Sequence, residues 1–301
     1  MAKAKIRRED TDISLQHGSN VVLLRKKAKK TPDDEYYTLY EHVDAILRPC
    51  IEKHALDGKR VYCNCDTKES NFYKWLKDHF DELGLSLLIA TGYNMNGDHG
   101  TYIEYDGQEE WEHELNGKGS WDSEECMYTL MNSDVVITNP PFSMARVFFK
   151  AMLESGKQFI LLLPKTVINP KIASFMKNRA FYLLYDKSKD RWYLRPDGSL
   201  VAMNATMTFS NIPEIRPERP KTPTVKFDPA IHKPYDNGEG YNCRSKNEIP
   251  DIDEPIGVPI SFYCVDDYET FDILGFVMKP LIDGRSTFIR MKIQKRQHAQ
   301  V

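Results

Sequence analysis

The stretch Asp134-Val135-Val136-Ile137-Thr138-Asn139-Pro140-Pro141-Phe142 constrains this chain more than any other. Val135 to Thr138 are apolar or β-branched and suit a short buried strand. Pro140 and Pro141 end it, because neither has an N–H to give a sheet ladder. Both also fix φ, so Asn139 and Phe142 are held in a rigid loop at the strand's carboxyl end. In open α/β sheets that edge is where ligands bind.

The chain around it alternates helix and strand, as parallel α/β folds do. Glu35 to His54 places Leu39, Val43, Ile46, Leu47 and Ile51 near helical spacing, with a start expected at Thr31-Pro32-Asp33-Asp34 and a kink or break near Pro49. Gly58 to Asp66 reads as a turn and a strand. Ser70 to Leu83 is amphipathic and is closed by Gly84 as a C-cap. Leu85 to Ala90 reads as a second strand, with Thr91-Gly92-Tyr93-Asn94 as the loop beyond it. Residues 94–120 are rich in glycine and read as an insertion with a β-hairpin excursion at Tyr102 to Gly107. Ser123 to Asn132 reads as a short helix with Cys126, Leu130 and Met131 inward.

After the proline pair, Ser143 is the expected N-cap of a helix that buries Val147, Phe148, Ala151 and Met152 and ends at Gly156. Phe159 to Pro164 is wholly apolar, as a central parallel strand should be. Helix Ile172–Asn178 and strand Phe181–Tyr185 follow. Trp192 to Arg195 and Ala205 to Phe209 flank Pro196-Asp197-Gly198-Ser199 and read as a closing antiparallel element. Six prolines between 213 and 234 then mark a linker-like run. Ile256 to Val265, Phe271 to Val277 and Ser286 to Ile293 are the expected strands beyond. Three regions result: a basic arm at 1–34, ordered only in part, an α/β domain at 35–212 that holds the proline loop and is the candidate catalytic domain, and a β-rich or irregular C-terminal region at 213–301.

Composition excludes several classes. Charged residues are 28% and hydrophobic ones 41%, an ordinary globular balance. No run of about 18 apolar residues occurs, so no membrane span is expected, and the charged N-terminus lacks the apolar core of a secretory signal. The six cysteines form no metal-ligand pair of the C-x₂-C kind. They are read as reduced and cytoplasmic, or structural, and no metal is expected. Net charge is −3, so nucleic-acid binding would need local basic patches. Two exist: Arg25, Lys26, Lys27, Lys29 and Lys30, and a C-terminal tail with Arg285, Arg290, Lys292, Lys295 and Arg296.

The loop chemistry is specific. An exocyclic aromatic amine is a poor nucleophile, because its lone pair is shared with the ring. The Asn139 amide oxygen and the Pro140 carbonyl can accept its two N–H bonds and concentrate density on nitrogen. Phe142 can stack on a base taken out of its helix. Catalysis by such a loop is mostly positioning.

These motifs together resemble the EcoRI-type family of adenine-specific DNA methyltransferases. Cys63-Asn64-Cys65-Asp66 with Glu69-Ser70-Asn71-Phe72 is similar to the family's modified first motif. Gly119-Ser120-Trp121-Asp122-Ser123-Glu124-Glu125-Cys126, leading into Asp134 to Phe142, is similar to its central block. Gly257 to Phe262 and Phe271 to Gly275 are similar to its C-terminal signature. The resemblance implies a Rossmann-like methyltransferase sheet with helices on both faces. It also implies S-adenosylmethionine as methyl donor, double-stranded DNA as partner and a flipped-out adenine methylated at N6. A monomer is expected, and the candidates for DNA target recognition are the 94–120 insertion and the C-terminal region at 213–301. Carried over by position, Asn139, Pro140, Pro141 and Phe142 are catalytic, and Asn64, Cys65, Asp66, Thr91, Asp122 and Asn139 are cofactor-binding. Two departures stand out. The Gly-rich cofactor loop common to methyltransferases is absent, as in this family, and Ser120 stands where the family tends to carry an acid. Asp122, two residues on, is the candidate replacement. Asn-Pro-Pro-aromatic loops also serve RNA adenines and protein glutamines. A DNA-binding protein without catalysis is the alternative from another class.

Overall fold

The computed structural model describes residues 12–17, 20–25, 37–184, 192–194, 199–202, 206–218, 221–265 and 270–296. In chain order the elements begin with β1 (Asp12–His17), β2 (Asn20–Arg25), β3 (Tyr37–Thr38), α1 (Tyr40–Glu52), β4 (Arg60–Asn64) and α2 (Asn71–Asp78). Next come β5 (Leu87–Gly92), β6 (Thr101–Tyr105), β7 (Glu110–Glu114), α3 (Glu124–Met131), β8 (Val135–Thr138), α4 (Ala145–Ser155) and β9 (Gln158–Pro164). Then follow α5 (Ala173–Lys177), β10 (Tyr182–Leu184), β11 (Trp192–Leu194), β12 (Leu200–Ala202) and β13 (Thr206–Ser210). The last are β14 (Tyr241–Asn242), β15 (Ile256–Val258), β16 (Phe271–Val277), β17 (Leu281–Ile282), β18 (Arg285–Ser286) and β19 (Arg290–Lys295). The chain divides into two compact units, residues 1–167 with 186–215, and residues 168–185 with 216–301.

The first unit is a mixed α/β sheet in the order β13-β9-β8-β4-β5-β6-β7. Its centre is parallel: β5 and β8 flank β4, and β9 lies beyond β8. The expected buried strand is β8, where all four residues are buried. Burial of side chains such as Val135, Val136 and Ile137 contributes about 1.5–3 kcal/mol each. Because β5 lies on one side of β4 and β8 on the other, the connections reverse direction at β4. That reversal is a topological switch point, and it opens a crevice at the carboxyl ends of β4 and β8.

Several boundaries differ from the sequence expectation. α1 begins at Tyr40, capped by Leu39 without a side-chain bond; the expected start at Thr31 to Asp34 lies outside the described residues. The helix runs through Pro49 to Glu52, since a proline so near the end removes one backbone bond without stopping the last turn. Thr91 and Gly92 are the last residues of β5, not the loop after it, because their partners on β6 continue the ladder. The 94–120 hairpin is no excursion: β6 pairs antiparallel with β5 and extends the central sheet. Ser143 is not the cap of α4, which starts after Met144; the Pro141 and Phe142 carbonyls already take the first amides, at 3.0 and 3.3 Å. Gly156 ends α4 in the left-handed region as expected.

The closing element is also rearranged. β11 forms its hairpin with β12 and pairs on its other edge with β3, while β13 leaves to lie antiparallel to β9. The N-terminal arm contains an antiparallel hairpin, β1 with β2.

In the second unit β14, β15, β19 and β16 form a sheet in that order. The strand expected over Ile256–Val265 stops at Val258, because Pro259 cannot donate to the ladder, and a 3₁₀ turn follows over Ile260–Val265. The Arg179 guanidinium donates to the Phe271 carbonyl and Tyr263 Oη to the Phe181 carbonyl at 2.8 Å. These bonds tie 168–185 to the C-terminal strands. The cations read as a tail lie largely in β18 and β19 rather than in an extended end.

Candidate active site

β4 ends at Asn64, and the next residue turns sharply: Cys65 has φ of +78°. That is the left-handed conformation that glycine supplies most easily. Here a cysteine adopts it, where a Gly-rich loop would ordinarily stand. Its amide still finds a partner, donating to the Thr91 carbonyl at 3.1 Å. The turn sends Asp66 back beneath the strand ends, where it is 6% exposed.

Asp66 accepts from Ser70 Oγ at 2.5 Å and from Thr138 Oγ1 at 2.6 Å. Burial pushes its carboxyl up to about 6, and the two hydroxyl bonds pull the other way. The cap of α2 is Ser70, which accepts from the Phe72 amide at 3.2 Å. Ser70 thus fixes the helix start with one interaction and Asp66 with the other.

Thr138 is the pivot of the site. It is the last residue of β8 and immediately precedes Asn139. Its hydroxyl faces both the Asn64 carbonyl and the Asp66 carboxylate. With one proton and two acceptors it cannot satisfy both at once while Asp66 is ionised. The end of β4 and the loop after β8 are therefore joined by one side chain.

The loop itself is partly enclosed: Pro140 is buried, and Asn139, Pro141 and Phe142 are half-buried. Asn139 Nδ2 donates to Thr38 Oγ1 at 3.3 Å, which fixes the amide's orientation from its nitrogen end. Thr38 is buried on β3, and its carbonyl accepts from Asn71 Nδ2 at 2.8 Å. Phe142 meets Tyr193 edge-on, with ring centroids 6.4 Å apart. Tyr193 is in turn fixed by a 2.6 Å bond between its hydroxyl and Thr206 Oγ1.

A third segment closes the edge. Asn64 Nδ2 donates to the Trp121 carbonyl at 3.4 Å, and Ser120 Oγ donates to Asp122 Oδ1 at 2.5 Å. Asp122 is 5% exposed. The serine at the departed position therefore bonds to the nearest acid. Gly119 has φ of +76°, and a Cβ there would lie 2.4 Å from the Gly92 carbonyl oxygen. Only glycine allows this segment so close to the end of β5.

Asn64, Asp66, Asp122 and Asn139 are thus brought to one edge by bonds among their neighbours. Thr91 enters through its backbone carbonyl; its hydroxyl is buried against Tyr62 Oη at 2.5 Å. Arg25 closes β2, and Lys26, Lys27, Lys29 and Lys30 lie outside the described residues. Of the C-terminal cations, Lys292, Lys295 and Arg296 are paired with Glu239, Asp251 and Asp272. Among the described residues no cluster of His, Cys, Asp and Glu could hold a metal ion. Thr38 and Tyr193 were not singled out from sequence, and Ser70 and Thr138 were quoted only as parts of their motifs, without a role at the site. For Thr38 a signal existed in the strand-forming run Tyr36-Tyr37-Thr38-Leu39-Tyr40.

Residues 24–185, more than half of the chain, match the family described as adenine-specific methyltransferase EcoRI. The chain belongs to this family. It is an adenine-specific DNA methyltransferase of the EcoRI type. Among curated proteins it is similar to the type II methyltransferase M.MpnI of Mycoplasma pneumoniae, 41% identical over 137 residues that cover 45% of this chain and 42% of that protein. It is 28% identical to M.EcoRI of Escherichia coli across 91% of this chain and 97% of that protein. M.MgeORF184P of Mycoplasma genitalium is also 28% identical, across 90% and 98%. No solved structure matches significantly. Among the described residues, no helix is long and apolar enough to cross a membrane.

Proposed function

We propose that this EcoRI-type enzyme methylates N6 of one adenine within a defined double-stranded DNA sequence, after flipping that adenine out of the helix. It would act as a cytoplasmic monomer in a restriction-modification or phage-protection pair. The observation that carries the reading is the bridge from Thr138 to Asn64 and Asp66. It joins the two strand ends that border the switch-point crevice, one carrying the acid and the other the Asn-Pro-Pro-Phe loop.

The residues fit S-adenosylmethionine by the chemistry of their donor set. The Asp66 carboxylate suits an ammonium or ribose hydroxyls, and Asp122 with Ser120 offers a second acceptor pair nearby in the chain's folded edge. When bound, the cofactor supplies an electrophilic methyl group on a sulfonium. The chain's own residues do the rest. The Asn139 amide oxygen and Pro140 carbonyl accept from the adenine amine, raise electron density on its nitrogen and orient it. Phe142, backed by Tyr193, stacks on the extruded base.

Base extrusion is tested with 2-aminopurine placed at the target adenine of a duplex. Binding should raise its fluorescence several-fold, and Phe142→Ala should lower that rise. A bound duplex whose fluorescence stays quenched would contradict extrusion.

A further inference from the structure

The segment between β16 and β19 leaves an unusual set of apolar side chains in solvent. Met278 is 51% exposed, Leu281 43%, Ile289 41% and Phe288 81%, the highest of any large apolar side chain among the described residues. Single exposed apolar residues are ordinary, but a contiguous group marks an interaction site.

This segment is held in place. β17 and β18 pair Leu281 with Ser286 and Ile282 with Arg285. The two-residue turn between them, Asp283-Gly284, has φ of +51° and +70°, as a type I′ hairpin turn requires. The Asp236 carboxylate accepts both turn amides, at 2.9 and 2.8 Å, and the Asp236 amide donates to the Leu281 carbonyl at 3.0 Å. A ribbon pre-organised in this way loses little entropy on binding.

Charge decides what it would bind. Lys279 and Arg285 are exposed, and among the described residues neither side chain enters an ion pair or hydrogen bond. On and just beyond β19, Lys292, Lys295 and Arg296 are engaged with acids, and Arg290 donates to Asn242 Oδ1 at 3.2 Å. Between residues 278 and 290 Lys279, Arg285 and Arg290 stand against Asp283, and Asp236 adds a second acid at the turn, its carboxylate taken up by the two turn amides. The glycine-rich insertion has the opposite sign. Between 94 and 120 it carries Asp98, Asp106 and five glutamates against Lys118 alone, and every residue of β7 is exposed. Lys77 and Lys68 pair with Glu110 and Glu112, and the remaining acids still outnumber Lys118, so a phosphate backbone would be repelled there and attracted at the ribbon.

We infer that the β17–β18 ribbon is a DNA-contacting finger of this enzyme, with Lys279 and Arg285 on phosphates and Phe288 against the bases. The inference rests on double-stranded DNA being the substrate. A two-stranded ribbon fits the major groove, and an exposed aromatic is suited to stacking on an unstacked base.

The test is equilibrium binding of the full chain to a fluorescein-labelled unmethylated duplex, followed by anisotropy over a range of salt. S-adenosylmethionine affinity serves as the control for folding. Phe288→Ala should weaken DNA binding by about 5- to 100-fold, as loss of base stacking does, and Phe288→Trp should restore most of it. Lys279→Ala with Arg285→Ala should lower the slope of log affinity against log salt by about 1.8. Asp236→Ala, which frees the turn, should weaken binding as well. Unchanged DNA affinity in both the Phe288 and the double variants overturns the finger. So does a Phe288→Ala protein that only shifts from dimer to monomer on sizing, since the patch is then a self-association face. An enzyme that binds DNA with these effects but does not methylate adenine would refute the active-site reading and leave the finger standing.

Discussion

Asp66→Asn should make the protein more stable and a poorer binder of its cofactor. Burial holds the Asp66 carboxyl at about 6 in the folded chain, against an ordinary value of 3.8. The unfolded chain therefore releases this proton near 3.8 while the folded chain keeps it until about 6. Stability from this group is fully present below 3.8 and is lost as pH rises through about 6. At about 1.4 kcal/mol per pH unit, the loss is about 3 kcal/mol. Asparagine meets the same partners without the charge. Its oxygen can accept from Ser70, and its amide can donate to Thr138, whose proton then serves the Asn64 carbonyl. The variant should accordingly exceed the wild type by about 1 kcal/mol at pH 4.5 and about 3 kcal/mol above pH 6.5. Urea unfolding of both proteins across that range reads the difference directly. Calorimetry with S-adenosylmethionine should show wild-type affinity rising through pH 6, and at least about ten-fold weaker, pH-independent binding in the variant. An Asp66→Asn protein that is less stable at pH 7.5, or that binds the cofactor with the wild-type pH profile, would refute the assignment.

Thr138→Val removes the donor from two buried acceptors and should cost about 1–3 kcal/mol in urea unfolding, with Thr138→Ser recovering most of it; an unchanged midpoint in Thr138→Val would remove the bridge from the account. At Cys65 the left-handed backbone tolerates glycine but opposes a β-branched side chain, so Cys65→Val should be at least about 2 kcal/mol less stable than Cys65→Gly. Equal stability of the two would mean that the turn relaxes elsewhere. Phe142→Ala should weaken retention of the flipped base by about 1–3 kcal/mol, read as a higher KM for DNA with S-adenosylmethionine affinity intact.

How far the fold was legible follows from where its information lies. β8 and β9 stand out because a buried parallel strand is an unbroken apolar run, and the prolines fix where β8 stops. The alternation of helices and strands carried the parallel core for the same local reason. What escaped depends on partners far along the chain. Thr38 lies 101 residues from the Asn139 it orients, and Thr138 lies 72 from Asp66. No local periodicity records such pairings. β6 and β7 read as a self-contained hairpin because only the pairing of β6 with β5 makes them part of the central sheet. The turn at Cys65 was hidden because a non-glycine residue adopts a conformation that sequence assigns to glycine. In the C-terminal unit β16 was legible, because Phe271–Val277 alternates buried with less buried residues along its length, whereas β14, β17 and β18 are two residues each, too short to show a period.

The most direct test of the central claim is transfer of labelled methyl from S-adenosylmethionine to unmethylated genomic DNA, total RNA and bulk protein in parallel, with Asn139→Ala beside the wild type. The account predicts N6-methyladenine in DNA alone, at one sequence, with turnover nearly abolished in a variant that still folds and still binds the cofactor. Label confined to RNA or protein, or wild-type rates in Asn139→Ala, would contradict it.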